Sequence, residues 1–322
     1  MTEQPTPVFV VGSGRSGTTI TAALLSRLPG VRIAKETGYI GEHLDLLQDT
    51  SNPQSLSKLI VAVNSWLKHN QWGHTASTEG FHAFCRRYDI QGGRAFIHYI
   101  WQLDSPTPWH ELSFIGDNTP LYVMAITGIR KLMPEARFIH VIRDPRDVVS
   151  SILKMRFGAD NPITAAMEWH FYLGCWLMAE RSVPPGQRIE CKYEDLCMTP
   201  EATFAKLAAF LNRSEAEAAA ALGQQASTDS GPATGFEKIA ALSHHSRLIE
   251  PLTASRVGRH TSELTAAQIQ SIEEIAQYGM LAYGYTPSKW YIHPLLREDR
   301  LTLLRAMILD VANRCLKRLR GK

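Results

Sequence analysis

Long apolar runs are missing from this sequence: no stretch reaches the length of a membrane span, and Met1 to Pro7 lacks the apolar centre of a signal peptide. The expectation is a soluble, cytoplasmic protein. An excess of one charge is missing too. The 34 Lys and Arg stand against 31 Asp and Glu, a formal net charge of +3, without the basic surplus that a general nucleic-acid binder needs. Cysteine is scarce: Cys85, Cys175, Cys191, Cys197 and Cys315 are odd in number and widely spaced. That spacing excludes a disulfide framework and a paired zinc site, and suits reduced thiols in a cytosolic enzyme. No internal repeat is present, and no composition shift marks a second domain. With 44% apolar and 20% charged residues, disorder, collagen and coiled coil are excluded as well. At 322 residues the chain can bury a large core, and a single domain spanning 1–322 is expected.

What is present begins with PVFVV (7–11), a β-rich apolar run that leads into GSGRSGTT (12–19) and then ITAALLSRL at helical spacing. Strand, glycine-rich turn and helix open an α/β nucleotide-binding unit. Residues 31–34 read as a second strand, with Glu36 near its C-terminal end. Residues 42–112 differ in character: polar helical stretches carry four of the seven tryptophans, Trp66, Trp72, Trp101 and Trp109. They predict a helical insertion on the acceptor side, its tryptophans either lining a lid or filling a helical core. The α/β pattern resumes with a strand at 113–115, GDNTP (116–120) and a helix over 121–132. Residues 138–142 are near-continuously apolar, as in a strand buried on both faces of a parallel sheet. Arg143 sits at its C-terminal end, where open α/β sheets place ligands, and a helix follows from Arg146. A strand at 188–193, a helix over 200–211, a Gly/Ser/Thr/Pro-rich loop at 223–236 and an amphipathic helix over 265–281 complete the pattern.

The glycine-rich turn admits more than one reading. Gly12, Gly14 and Gly17 satisfy GxGxxG, and Glu36, 19 residues after Gly17, stands where a dinucleotide fingerprint places its ribose acid. The same turn has the spacing of a P-loop, but Thr18 fills the lysine slot and Arg15 supplies a cation three residues earlier. In both readings backbone N–H groups and a helix N-terminus bind an anion, with Arg15, Ser16, Thr18 and Thr19 adding donors.

The downstream motifs separate these readings. Together, GSGRSGTT and VIRDPRDVVSS (141–151) resemble the 5′-phosphosulfate loop and 3′-phosphate motif of the sulfotransferases that use 3′-phosphoadenosine 5′-phosphosulfate (PAPS). By that resemblance Arg143 and Ser151 hold a 3′-phosphate, a dianion that wants a planar cationic fork and a hydroxyl donor. KYEDL (192–196) is similar to a third element whose tyrosine, here Tyr193, lies near the nucleotide. YGMLAYGY (278–285) is similar to the closing helix and Gly-Tyr of bacterial members. The resemblance covers roughly 7–285 and implies a P-loop-like three-layer α/β fold with a central parallel sheet. It implies that the donor is bound by Gly14, Arg15, Ser16, Gly17, Thr18, Thr19, Arg143, Ser151 and Tyr193. Arg256, Gly258 and Arg259 loosely resemble a basic segment closing over the 3′-phosphate, which adds Arg259; a solvated basic loop is the plainer reading there.

Sulfuryl transfer proceeds in line, so catalysis is mainly positioning and charge stabilisation. The catalytic candidates are Glu36 as base, Arg15, and Asn118, which stands in GDNTP where many family members carry a lysine on the leaving oxygen. A neutral amide makes the weaker hydrogen bond, so Arg15 takes more of that work. A carboxylate of ordinary pKa is a weak base for an alcohol, and partial burial is expected to raise that of Glu36. Glu42, Asp117, His43, His82 and His110 are the alternatives; a surface pair with Lys35 is the competing role for Glu36. The family implies no metal, and the sequence has no metal-ligand constellation; His244-His245 reads as loop chemistry.

Residues 297–322 hold eight basic and three acidic side chains. Leu301, Leu304, Ile308, Val311, Cys315 and Leu319 recur at helical spacing and predict a basic amphipathic helix over about 297–320. Such a helix folds onto its own domain, lies on an anionic membrane surface, or docks on a second copy in a homo-oligomer. The function expected is transfer of a sulfuryl group from PAPS to a hydroxyl or amine of a small-molecule, carbohydrate or lipid acceptor, with no nucleic-acid partner. The alternatives are a P-loop-like ATP-dependent kinase, against which Thr18 and the Arg143/Ser151 pair count, and a non-catalytic nucleotide-binding module, which Asn118 favours.

Overall fold

The computed structural model describes residues 4–70, 72–155, 159–223 and 253–289. The expected loop beyond residue 223, His244-His245 and the basic helix at 297–320 lie outside them. Five strands, β1 (Thr6–Gly12), β2 (Val31–Ala34), β3 (Phe114–Asp117), β4 (Arg137–Ile142) and β5 (Arg188–Lys192), form one sheet in the order β2-β3-β1-β4-β5. Every pair is parallel. In β1, Phe9 and Val11 enter the core on one face while Val8 and Val10 enter the core on the other, the two-residue period of a strand. Helices cover both faces, which is why β1 and β4 read as unbroken apolar runs. Phe9 stacks on Phe138 at 5.5 Å and meets Trp101 edge-on at 5.4 Å, tying β1, β4 and the insertion together.

The chain leaves β1 for β2 on one side and later crosses to β4 on the other, so the topological switch lies at β1. Each strand end then delivers one motif to the same edge of the sheet. β1 runs into the glycine loop, β2 into Glu36, β3 into Asn118, β4 into Arg143 and β5 into Tyr193.

The insertion is helical as expected, with helices Leu44–Gln48, Pro53–His69, Thr78–Tyr88 and Gly92–Leu103 and a 3₁₀ turn at Trp109–Glu111. Asn52 and Ser77 start two of them by accepting from the Gln54 and Gly80 amides. Trp72, Trp101 and Trp109 are buried, so they fill the helical core; Trp66 is half-buried. The helix expected over 121–132 divides into a 3₁₀ turn, Pro120–Met124, and a helix, Ile126–Leu132. The tighter turn brings the Tyr122 hydroxyl to the loop beyond β2. A third core joins helices Pro145–Ile152, Pro162–Ala179 and Ala266–Ala282 through Val148, Trp169, Ile272 and Met280. The last of these opens with a capping box between Thr265 and Gln268.

Candidate active site

The glycine loop needs glycine at position 17 for two reasons. Its φ is 100°, and a Cβ there would collide with Cδ2 of the Tyr193 ring. Arg15 also has a positive φ, 68°, a conformation that costs a non-glycine residue about 1 kcal/mol and here turns the loop's tip. The loop is closed by the Ser16 amide donating to the Ser13 carbonyl at 3.2 Å, and helix Thr18–Leu25 follows. Ser16 and Thr18 are buried, while Gly14, Arg15, Gly17 and Thr19 are half-buried.

Arg143 ties the loop to the rest. Its guanidinium lies 4.4 Å over the Tyr193 ring and donates to the Arg256 carbonyl at 2.7 Å and the Arg15 carbonyl at 3.4 Å. Arg143 also lies 3.5 Å from Asp147, whereas Asp144 pairs with Arg146 at 2.7 Å. Ser151, two turns along helix Pro145–Ile152, accepts from Arg15 Nε at 3.1 Å. The two sequence motifs, 136 residues apart at this bond, therefore form one site.

The 256–260 segment lies against this site instead of standing off as a solvated loop. Asp147, buried, accepts from the Gly258 amide at 2.8 Å, the His260 amide at 2.9 Å and His260 Nδ1 at 2.8 Å. Burial alone would raise the Asp147 pKa, but the His260 and Gly258 donors and the Arg143 charge hold it at about 2. Arg259 pairs with Glu263, whose carboxylate also takes Lys154 at 2.6 Å and the Ser150 hydroxyl. The KYEDL and Gly-Tyr motifs meet behind it. Glu194 accepts from the Asp144 amide at 2.9 Å and the Tyr285 hydroxyl at 2.8 Å.

On the other side of β1, Asp117 organises the loop that carries Glu36. One of its oxygens accepts from the Thr119 amide at 2.7 Å and the Thr119 hydroxyl at 2.6 Å; the other accepts from the Thr37 hydroxyl and from Trp101 Nε1 at 3.2 Å. Thr37 also contacts the Tyr122 hydroxyl at 2.7 Å, which in turn accepts from the Ile40 amide at 3.0 Å. Gly38, φ 68°, has the Trp66 indole where a Cβ would stand. Asp117 is fully buried, and desolvation pushes its pKa up to about 6 despite these donors. With both oxygens occupied it anchors the loop that carries Glu36.

Glu36 itself is exposed beyond the end of β2. Desolvation by the surrounding protein first, and the Asp117 charge second, push its pKa up to about 7 against the opposing pull of Arg15. Its neighbour Lys35 is buried, 3.6 Å from Asp104 and over the Trp72 ring, so the Lys35 to Glu36 surface pair does not form. Glu42 and His43 are half-buried, and burial lowers the His43 pKa; His82 and His110 are exposed on the insertion.

Sequence reasoning missed Thr37, Tyr122, Asp147 as a clamp, and His260; each acts through a distant partner with no local spacing to reveal it. The fit of an anionic nucleotide can be tested on the polar atoms. Ser16 Oγ, Arg143 Nε and both amide atoms of Asn118 are buried with no hydrogen-bond partner among the described residues. Buried polar groups are rarely left so, and donors on the loop, on β4 and beyond β3 suit a multiply charged ligand. Among the described residues no group of three His, Cys, Asp or Glu could hold a metal ion, and no helix is long and apolar enough to cross a membrane.

The site is a parallel α/β sheet whose switch point carries the glycine loop and the Arg143/Ser151 motif, joined by a hydrogen bond. The chain matches the sulfotransferase family model over residues 7–217, more than half its length, and belongs to that family. It is 23% identical over 217 residues to protein-tyrosine sulfotransferase 1 of Danio rerio, covering 64% of this chain and 52% of that protein. The chain thus spans about half the length of that curated relative. Its fold is similar to the sulfotransferase domain of the Synechococcus PCC 7002 olefin synthase, with TM-score 0.51, 19% identity and coverage of 85% of this chain and 96% of that one. The sulfotransferase domain from the curacin biosynthetic pathway also gives 0.51, at 15% identity and 88% and 98% coverage.

Proposed function

We propose that this chain is a sulfotransferase that takes PAPS as donor and sulfates a hydroxyl or amine, within one domain spanning 1–322. The observation that most supports this reading is the Arg15 to Ser151 hydrogen bond at 3.1 Å, which joins the two motifs. Arg143 and Ser151 would hold the 3′-phosphate, the loop from Gly14 to Thr19 the 5′-phosphosulfate, and Tyr193 would support both by packing on Gly17 and under Arg143. The donor supplies an activated sulfuryl group. Glu36 takes the proton from the acceptor as the new sulfur–oxygen or sulfur–nitrogen bond forms and the bond to the 5′-phosphate oxygen breaks. Arg15 and the Asn118 amide then face the charge that gathers on that leaving oxygen. A carboxylate raised toward neutrality is matched to this task, since a base works best with its pKa near the working pH.

The test is calorimetric titration with adenosine 3′,5′-bisphosphate, with AMP, ATP and NAD as controls, on the wild type and Arg143→Ala. The expected result is binding that requires the 3′-phosphate and falls about 10- to 100-fold in Arg143→Ala, while AMP binding changes little. Preference for ATP or NAD, or equal losses for both ligands, would sink the assignment. For the acceptor, phenols including a tyrosine peptide, sugars, amines and lipid headgroups form the panel to screen with PAPS.

A further inference from the structure

Besides Asp117, a second carboxylate near the glycine loop has both oxygens fully engaged. Asp147 sits one turn past Arg143, on the same helix as Ser151, with its side chain fully enclosed. Oδ1 receives both the backbone N–H and the ring Nδ1 of His260, and Oδ2 receives the Gly258 N–H and faces Arg143 at 3.5 Å. Two donors per oxygen saturate a carboxylate. All but the Arg143 contact come from a segment more than 100 residues away in sequence, and that segment returns a bond: the Arg256 carbonyl accepts from Arg143 at 2.7 Å. On its outer side Glu263 fastens the same segment to Ser150 and Lys154. Residues 256–263 are therefore a strap laced across the helix that carries Ser151, with Asp147 as the inner knot.

We propose that Asp147, with His260, is a positioning residue for nucleotide specificity: it fixes the 256–260 strap and aims Arg143, so the chain's discrimination for a 3′-phosphate depends on a side chain that never meets it. The inference rests on the nucleotide reading given above. Geometry supplies the reason. Arg143 must present its outer face to a ligand while its inner face is held, and Asp147 and the Arg256 carbonyl are the inner holders. Asn at 147 would keep the volume but turn an NH₂ toward N–H donors, breaking at least one bond and setting donor against donor.

The experiment is a three-protein comparison, wild type, Asp147→Asn and His260→Gln, with adenosine 3′,5′-bisphosphate and AMP titrated into each. Amide hydrogen exchange at residues 256–263 is followed without ligand. In Asp147→Asn the bisphosphate should bind roughly 10- to 100-fold more weakly while AMP changes less than about threefold. The Gly258 and His260 amides should exchange much faster. His260→Gln, which spares both backbone bonds, should move in the same direction by a smaller factor, and it carries the test if Asp147→Asn does not fold. With PAPS, KM should rise and kcat at saturation should hold within about threefold, a split that general destabilisation does not produce. Equal losses for both nucleotides, or unchanged exchange in the strap, would overturn the role given to Asp147. A wild type indifferent to the 3′-phosphate would instead overturn the nucleotide reading beneath it.

Discussion

Replacing Glu36 by Gln should make the protein more stable and inactive at once. A carboxylate lifted from an ordinary 4.5 to about 7 in the folded state favours its protonated form there. Its contribution to stability is therefore fully present below about 4.5 and is lost as pH rises through about 7. For a wholly enclosed group that loss would be roughly 3 kcal/mol at pH 8. Glu36 is exposed, and water screens its charge, so about 1 kcal/mol is the appropriate expectation. Gln removes the charge and with it the penalty, so thermal unfolding at pH 8 should shift upward by about 2 °C. At pH 4, where wild-type Glu36 is already protonated, the two proteins should melt together. Turnover with PAPS and an accepted substrate should fall by roughly 10²- to 10⁴-fold, the usual worth of a general base. The wild-type rate should climb with pH and level off, its midpoint lying between 4.5 and 7. The acceptor, by displacing water from the carboxylate, draws that midpoint upward. A Glu36→Gln protein that melts lower at pH 8, or gains equally at both pH values, would show that the carboxylate is not under electrostatic strain. Retained turnover would move the base elsewhere.

Two further substitutions test the frame around the site. Gly17→Ala forces a Cβ into the Tyr193 ring at a φ of 100° and should cost about 2–4 kcal/mol in urea unfolding; Tyr193→Ala in the same chain should return part of it, and no return would clear the ring of blame. Asp117→Asn leaves donors from Thr119, Thr37 and Trp101 facing an amide, and should destabilise by about 2–4 kcal/mol. It should also lower kcat while nucleotide affinity stays within about twofold, because the loop it anchors carries Glu36 and not the phosphate donors. A fall in affinity as large as the fall in kcat would contradict that division of labour.

The parts of this protein that could be read from sequence are those whose physics is local. Residues 138–142 betray β4 because a strand covered on both faces must be apolar throughout. GSGRSGTT betrays the loop because a left-handed turn against a ring admits only glycine at position 17. Arg143 and Ser151 stand out only through the likeness of VIRDPRDVVSS to a 3′-phosphate motif, and in the structure Ser151 bonds to Arg15. Helix Pro162–Ala179 gave no such sign: it packs β-sheet and helices on several sides at once, so its apolar residues show no clean period. The anchoring contacts were hidden for a different reason. Asp117 meets Thr37 across 80 residues and Asp147 meets His260 across 113, and neither partner carries a spacing that names the other. Lys35 misleads in the opposite sense. Adjacent to Glu36 and opposite in charge, it invites an ion pair, but at the end of a strand neighbouring side chains leave on opposite faces. Lys35 goes inward to Asp104 and Trp72, and Glu36 is left facing the site with Arg15 as its countercharge. The same alternation that buries the lysine is what leaves the carboxylate open to the site, as the proposed base requires.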